Sequence, residues 1–351
     1  MDQHISARAQ EPAIVVEDLM IPSDTPGISL HLRNKRPAAL KTFSAERTIL
    51  MMHGATYSSG SLFDVPLGGS SFMDHLAGHG YDVFALDVRG YGGSTRPSEM
   101  DAPPEDSEPL VRTEVGVRDL ASAVQYVLKH RDITRLNLLA MSWGGSVAGA
   151  YTAVNNDKIV KLALVAPLWL LNGPAPIDAG GRLGAYRKVP VLDFRERWLS
   201  AAPEKARPGL IPAGGFELWA NISLATDPEF SAGTSPLMRA VNGPILDIRE
   251  YWAAGNALYH ASDIRVPVLL VHAEWDRDVP ISSAQDLFLS LKHAPYRRWV
   301  EIGEGTHMIL LEKNRLQAFD AINQFFSEKY EHDERGKDTG APADIPSLTA
   351  G

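Results

Sequence analysis

Leu136-Asn137-Leu138-Leu139-Ala140-Met141-Ser142-Trp143-Gly144-Gly145-Ser146-Val147-Ala148-Gly149 is an apolar run that ends in a serine among small residues, with an alanine- and glycine-rich segment after it. The pattern reads as strand, sharp turn and helix, with Ser142 at the apex. Such a turn needs small residues because the strand and helix backbones nearly touch. Ala140 lies two positions before the serine and Gly144 two after, which is the logic of the G-x-S-x-G nucleophile elbow with alanine in the first glycine position. Taken alone, the same stretch also fits a buried strand followed by a helix with a serine N-cap.

Outward from this stretch, strand-like runs alternate with helical ones. Upstream, Thr48-Ile49-Leu50-Met51-Met52 has the continuous apolar character of a strand buried on both faces. It opens into His53-Gly54-Ala55-Thr56-Tyr57. A helix over 72–79 stops at Gly80, and Asp82-Val83-Phe84-Ala85-Leu86 follows as a strand. Asp87-Val88-Arg89-Gly90-Tyr91-Gly92-Gly93-Ser94 is a tight glycine loop. Residues 97–110 read as an exposed loop, and 115–130 as an amphipathic helix with Val117, Leu120, Val124 and Leu128 on one face. Downstream, Leu162–Ala166, Val266–His272 and Arg298–Ile302 are strands, with helices over 282–292 and about 311–330. Two short strands near Ala13–Val16 and Ile28–Leu32, joined by Ser23-Asp24-Thr25-Pro26-Gly27, predict an antiparallel hairpin at the sheet edge. The alternation predicts an α/β fold with a mainly parallel central sheet flanked by helices.

Between 168 and 262 the texture changes. No strong strand run is evident, and four of the seven tryptophans fall here: Trp169, Trp198, Trp219 and Trp252. This segment reads as an inserted, mostly helical cap. The core is then 13–167 with 263–330, preceded by a loose arm over 1–12 and followed by a disordered tail over 331–351.

Composition narrows the function. The 351 residues carry a net charge of −9 with no basic block, which removes the electrostatic basis for binding nucleic acid. Without cysteine there is no disulfide, thiolate metal site or cysteine nucleophile. The first twelve residues are polar and unlike a signal peptide, and no run approaches the length of a membrane span. A cytoplasmic location is the default expectation. No G-x-G-x-x-G spacing suggests a dinucleotide.

Along the chain stand an elbow serine, aspartates after the Val266 strand, and His307 after the last strand. Acyl transfer by serine needs such a set, because the hydroxyl requires a base and the base requires orientation. Together with His53-Gly54-Ala55, the Asp87–Ser94 loop, Trp275-Asp276-Arg277-Asp278-Val279-Pro280 and Gly305-Thr306-His307, the pattern resembles the α/β-hydrolase fold superfamily, serine esterase-like, with a cap after the sixth strand. The resemblance covers roughly 28–330.

The resemblance implies Ser142 as nucleophile, His307 as general base and acid, and Asp276 as the residue orienting it. Asp278 is the rival acid, and the family spacing to Pro280 selects Asp276. Ala55 and Trp143 would supply oxyanion-hole N–H groups, and Trp143 would line the pocket. Thr56 would be a turn residue or a further hydroxyl donor, and His53 a structural residue of its loop. Trp169, Trp219, Met238 and Trp252 are expected to face the pocket from the cap, with Trp198 packed inside it.

The implied activity is cofactor- and metal-free hydrolysis of a small-molecule carboxylic ester with an apolar or aromatic part. Serine at the elbow argues against epoxide opening and halide displacement, which use aspartate there. Lactone, carbon–carbon, or amide and peptide hydrolysis of the aminopeptidase type are the enzymatic alternatives. The last would need cap acids such as Glu217, Asp227, Glu229, Asp247 or Glu250 to hold an amine. A ligand-binding member without catalysis is the alternative outside enzymes. No sequence feature sets an oligomeric state.

Overall fold

The computed structural model describes residues 13–171, 173–232 and 236–329. The expected arm over 1–12 and tail over 331–351 lie outside the described residues. Eight strands form one sheet: β1 (Ile14–Pro22), β2 (Ser29–Pro37), β3 (Thr48–Met52), β4 (Asp82–Asp87), β5 (Leu136–Met141), β6 (Ile159–Val165), β9 (Val268–Ala273) and β10 (Arg297–Ile302). Two further strands, β7 (Tyr186–Pro190) and β8 (Leu237–Val241), pair with each other elsewhere. The large sheet runs in the order β1-β2-β4-β3-β5-β6-β9-β10. β1, β2 and β4 are joined antiparallel, and every pairing from β4 to β10 is parallel.

The strand sequences explain this arrangement. All residues of β3, β4, β5 and β9 are buried, as continuous apolar runs covered on both faces must be. Alternate side chains go to opposite layers. Leu50 and Met52 of β3 join Leu138 and Ala140 of β5 in one apolar cluster, while Ile49, Met51, Leu139 and Met141 belong to the other. Helices Thr113–Arg131 and Trp143–Val154 cover the first face, and Phe72–Gly78 and Arg315–Ser327 the second. Helix Phe72–Gly78 starts at a capping box in which Ser71 and Asp74 satisfy each other's backbone N–H groups. β1 lies at the edge. Its Glu17 and Asp18 pair with Arg36 and Arg33 of β2, charges that discourage further strand addition.

Residues between β6 and β9 leave at the carboxyl end of β6 and re-enter the sheet at the amino end of the parallel β9, where Val268 stands beside Leu162. They form short helices (Phe194–Ser200, Gly215–Ala225, Pro228–Ser231 and Gly243–Asp247) and the β7–β8 pair. The sheet is a difference from the sequence reading, which found no strand here. Arg187, Lys188 and Arg239 break the apolar pattern of both segments, and the partner strands are far apart in sequence. The 97–110 loop is also less free than its composition suggests. Met100 is fully buried, and Ala102 and Met100 carbonyls accept hydrogen bonds from Tyr186 Oη and Arg239 Nη1 across from the cap.

Candidate functional site

β5 delivers Ser142 to the carboxyl edge of the sheet, and helix Trp143–Val154 starts directly after it. Ser142 has φ 57° and ψ −125°, a conformation that side-chain-bearing residues rarely adopt. Neighbouring backbone holds it there. Its N–H donates to Val165 O at 3.0 Å, and its carbonyl accepts from Leu168 N at 3.0 Å and Gly145 N at 2.8 Å. The turn is tight enough that a Cβ on Gly144 would lie 2.3 Å from His53 O.

The loop after β3 brings Ala55 to the same place. Its N–H has no acceptor among the described residues. The Trp143 N–H, at the first position of its helix, lacks an intrahelical acceptor by geometry. His53 orients the Ala55 donor. Its Nε2 accepts the Val88 N–H at 3.1 Å, so the proton resides on Nδ1, which donates to Gly54 O at 2.7 Å. Gly54 O and Ala55 N–H belong to one peptide unit and point in opposite directions. Tying the carbonyl to His53 therefore turns the N–H away, and burial holds the imidazole's pKa below its ordinary value.

His307 lies on the loop after β10, and Asp276 on the loop after β9. Asp276 Oδ2 accepts from His307 Nδ1 at 2.8 Å, and Oδ1 accepts from the N–H groups of Asp278 and Val279, both at 2.9 Å. The carboxylate thus fixes the imidazole with Nε2 available as an acceptor. Asp278 turns instead to Arg197 of the cap and pairs with it. Burial alone would push the His307 pKa down, but the charge and hydrogen bond of Asp276, with Asp278 adding, outweigh it and raise the group to about 9. Ser142 and His307 line one cleft of about 650 Å³. Among the described residues no hydrogen bond joins them.

Behind His307 stands a residue that sequence reasoning missed. Buried Glu312 accepts from Thr306 N at 2.7 Å, from Thr306 Oγ1, and from Trp198 Nε1 of the cap at 2.6 Å. It ties the His307 loop to the cap, and burial raises its pKa.

The cleft corrects the expected roof. From the cap it is lined by Leu168, Ala175, Ile177, Phe194, Arg197 and Ile248. Trp169, Trp219, Met238 and Trp252 are not among its lining residues. Trp219 is fully buried behind Tyr57 and Phe194, with ring centroids at 4.8 and 5.3 Å. Trp252 and Trp169 pack against each other at 5.5 Å and against Tyr259. Met238, on β8, sits in the apolar cluster with Trp198 and Trp219. Large aromatic surfaces gain most by covering one another, which leaves smaller side chains at the ligand face. Thr56 and Trp143 do line the cleft. Trp143 Nε1 donates to Thr113 Oγ1 at 2.9 Å. Among the described residues no three His, Asp or Glu side chains cluster as a metal site.

Sheet order, elbow and cap insertion are those of the α/β-hydrolase fold. Residues 47–194 match the family model of the alpha/beta hydrolase fold. Protein ABHD8 of Mus musculus is 26% identical over 319 residues, covering 88% of this chain and 65% of that protein. Human ABHD8 is 26% identical, covering 79% and 57%. The chain thus spans about three fifths of the length of these curated relatives. Among solved structures, the 2-hydroxy-6-oxo-6-phenylhexa-2,4-dienoate hydrolase of a Rhodococcus species superposes with TM-score 0.60 at 18% identity, over 90% of this chain and 99% of that one. A thermophilic esterase from Thermogutta terrifontis superposes with TM-score 0.55 at 16% identity, over 88% and 97%. Both likenesses are of fold. Among the described residues, no helix is long and apolar enough to cross a membrane.

Proposed function

We propose that the protein is a serine hydrolase that cleaves a carboxylic ester through an acyl-enzyme. The observation that carries this reading is the convergence on one cleft of Ser142 at its positive-φ apex and His307 hydrogen-bonded to buried Asp276. His307 Nε2 takes the proton as Ser142 Oγ attacks the carbonyl carbon. The developing oxyanion is received by the N–H groups of Ala55 and Trp143. His307 then protonates the leaving alcohol, and a water deprotonated by His307 releases the acid and restores the serine.

Ile177, Phe194, Ile248, Leu62 and Met308 around the cleft suit a substrate with apolar surface. Recognition of a substrate amine has less support. Asp227 is paired with Arg239, and Asp247 and Glu250 with Arg112. None of the five cap acids considered above lines the cleft, where Asp278, itself paired with Arg197, is the one lining carboxylate among the described residues.

The test is labelling by a fluorophosphonate probe together with a screen of acyl esters against matching amides. Ser142→Ala should abolish labelling and reduce ester turnover by about 10⁴-fold or more while leaving the fold intact. Retention of more than a tenth of the wild-type rate would remove Ser142 as nucleophile. A larger loss for Asp278→Asn than for Asp276→Asn would reassign the acid.

A further inference from the structure

Arg187, on β7 of the cap, directs its guanidinium at the loop that carries Ala55. Nη2 donates to Ala55 O at 3.1 Å and to Thr56 Oγ1 at 2.7 Å, and Nη1 to Val241 O at 2.8 Å and Asn242 Oδ1 at 3.4 Å. All four acceptors are neutral. Among the described residues no carboxylate lies within ion-pair distance of Arg187, and its Nε–H has no protein acceptor, on a side chain that is half-buried and within reach of solvent. Its cap neighbours are treated differently, since Arg239, Arg249 and Arg197 pair with Asp227, Asp178 and Asp278. Burial disfavours the charge of Arg187, yet a guanidinium remains protonated, so a cation stands uncompensated beside the Ala55 loop.

A second observation comes from the other wall. Tyr57 is buried, its hydroxyl has no partner, and it lines the Ser142 cleft. The charges of both Arg197 and Arg187 reach that hydroxyl. An adjoining open depression is lined by Arg187 and Lys188 and shares Thr56, Tyr57, Ile177, Phe194 and Arg197 with the cleft. The two spaces therefore adjoin at Tyr57, which lines both.

A hydrogen-bond donor without an acceptor, a second such donor nearby and an unneutralised charge together match one chemical group. We propose that this wall binds a carboxylate of the substrate, held by Arg187 and the Tyr57 hydroxyl, so that the ester presented to Ser142 also carries a free acid. The inference rests on the serine-hydrolase reading. A carboxylate accepts several hydrogen bonds and neutralises the guanidinium, whereas a neutral ester leaves both deficits in place. The structural rival is that Arg187 only clamps the cap to the Ala55 loop.

The experiment compares mono-4-nitrophenyl glutarate, which is anionic, with its neutral methyl ester, alongside the succinate and adipate homologues. Wild type should favour the anionic ester by about tenfold or more in kcat/KM at one chain length or more. Arg187→Gln and Tyr57→Phe should each shrink that ratio, and Arg187→Lys should retain part of it. Calorimetry on Ser142→Ala should find monomethyl glutarate bound more tightly than dimethyl glutarate, with the difference lost on adding Arg187→Gln. Equal or reversed preference in wild type at every length overturns the inference. So does Arg187→Gln if it lowers both esters by the same factor, which is the signature of a clamp. Should Arg187→Gln fail to fold, Tyr57→Phe and the wild-type comparison still decide. Fluorophosphonate labelling without charge discrimination sinks the anion site alone. Charge-selective binding without labelling sinks the hydrolase reading alone.

Discussion

Arg197 of cap helix Phe194–Ser200 pairs with Asp278, two residues beyond the carboxylate that holds His307. The pair spans from cap to core at the wall of the cleft, and its two charges act on His307 in opposite senses. Asp278 favours the imidazolium and Arg197 disfavours it.

A pH profile reads this pair. In the proposed mechanism His307 must be neutral to accept the serine proton, and its pKa of about 9 lies above the ordinary histidine value. kcat/KM is expected to rise with pH to an inflection near 9. Asp278→Asn removes a negative charge and leaves Arg197 unpaired, so the inflection moves to lower pH. Arg197→Gln moves it higher. A common inflection near the unperturbed histidine value in all three proteins would contradict the electrostatic account.

The elbow can be probed at its two small residues. A Cβ on Gly144 meets two backbone carbonyls, His53 O at 2.3 Å and Met52 O at 2.8 Å, neither of which can swing aside. Gly144→Ala is expected to cost about 3 kcal/mol or more and to lower the melting temperature. Ala140→Gly restores the commoner elbow residue and loses only a methyl group and some strand preference, about 1 kcal/mol. Thermal melts of the two variants should therefore separate clearly.

Cap aromatics should divide by what they touch. Trp219→Ala and Trp252→Ala empty fully buried positions and should destabilise by about 3–5 kcal/mol while leaving the ranking of acyl esters unchanged. Phe194→Ala and Ile248→Ala act at the cleft wall and should reorder that ranking. Melting temperatures and substrate profiles measured on the same four variants check the division. A reordered ranking for Trp252→Ala would return that residue to the pocket.

Glu312→Gln should be destabilising despite its shape. An amide offers one acceptor where three donor groups converge from Thr306 and Trp198, and its own N–H atoms face donors. Denaturant titration is expected to show a loss of about 2–4 kcal/mol. Turnover should fall in parallel, because the same carboxylate steadies the residue next to His307. An unchanged midpoint would show that the network is dispensable.

Much of the fold was legible because buried parallel strands announce themselves. β3, β5 and β9 are mostly apolar runs, with only Thr48, Asn137 and His272 as polar members, and each is followed by a loop carrying small or polar residues. The Ser142 turn was legible for a related reason, since backbone contact restricts Gly144 to hydrogen as its side chain. β7 and β8 were not. Their charged residues satisfy partners in three dimensions, such as Asp227 for Arg239, and no local period reveals that. The cap lining was misread because tryptophan abundance reports how much apolar surface is buried and not which face a ligand meets. Arg187 and Glu312 passed unnoticed because nothing in sequence distinguishes a charged side chain with a distant partner from a solvated one.

His53 carries a consequence for acid tolerance. Its Nε2 can accept the Val88 N–H only while the ring is neutral, and burial holds its pKa below the ordinary value of 6.5. The unfolded chain therefore takes up this proton before the native protein does. The stability that neutral His53 contributes is complete above about pH 6.5 and drains away as pH falls toward the depressed native value. Protonation would set N–H against N–H at Val88 and release the Gly54–Ala55 peptide. The expected loss of rate below about pH 9 and the loss of structure at lower pH are thus assigned to different imidazoles. On the proposed mechanism activity should fade as His307 gains its proton below about pH 9, while the scaffold should yield later, at a histidine outside the proposed reaction.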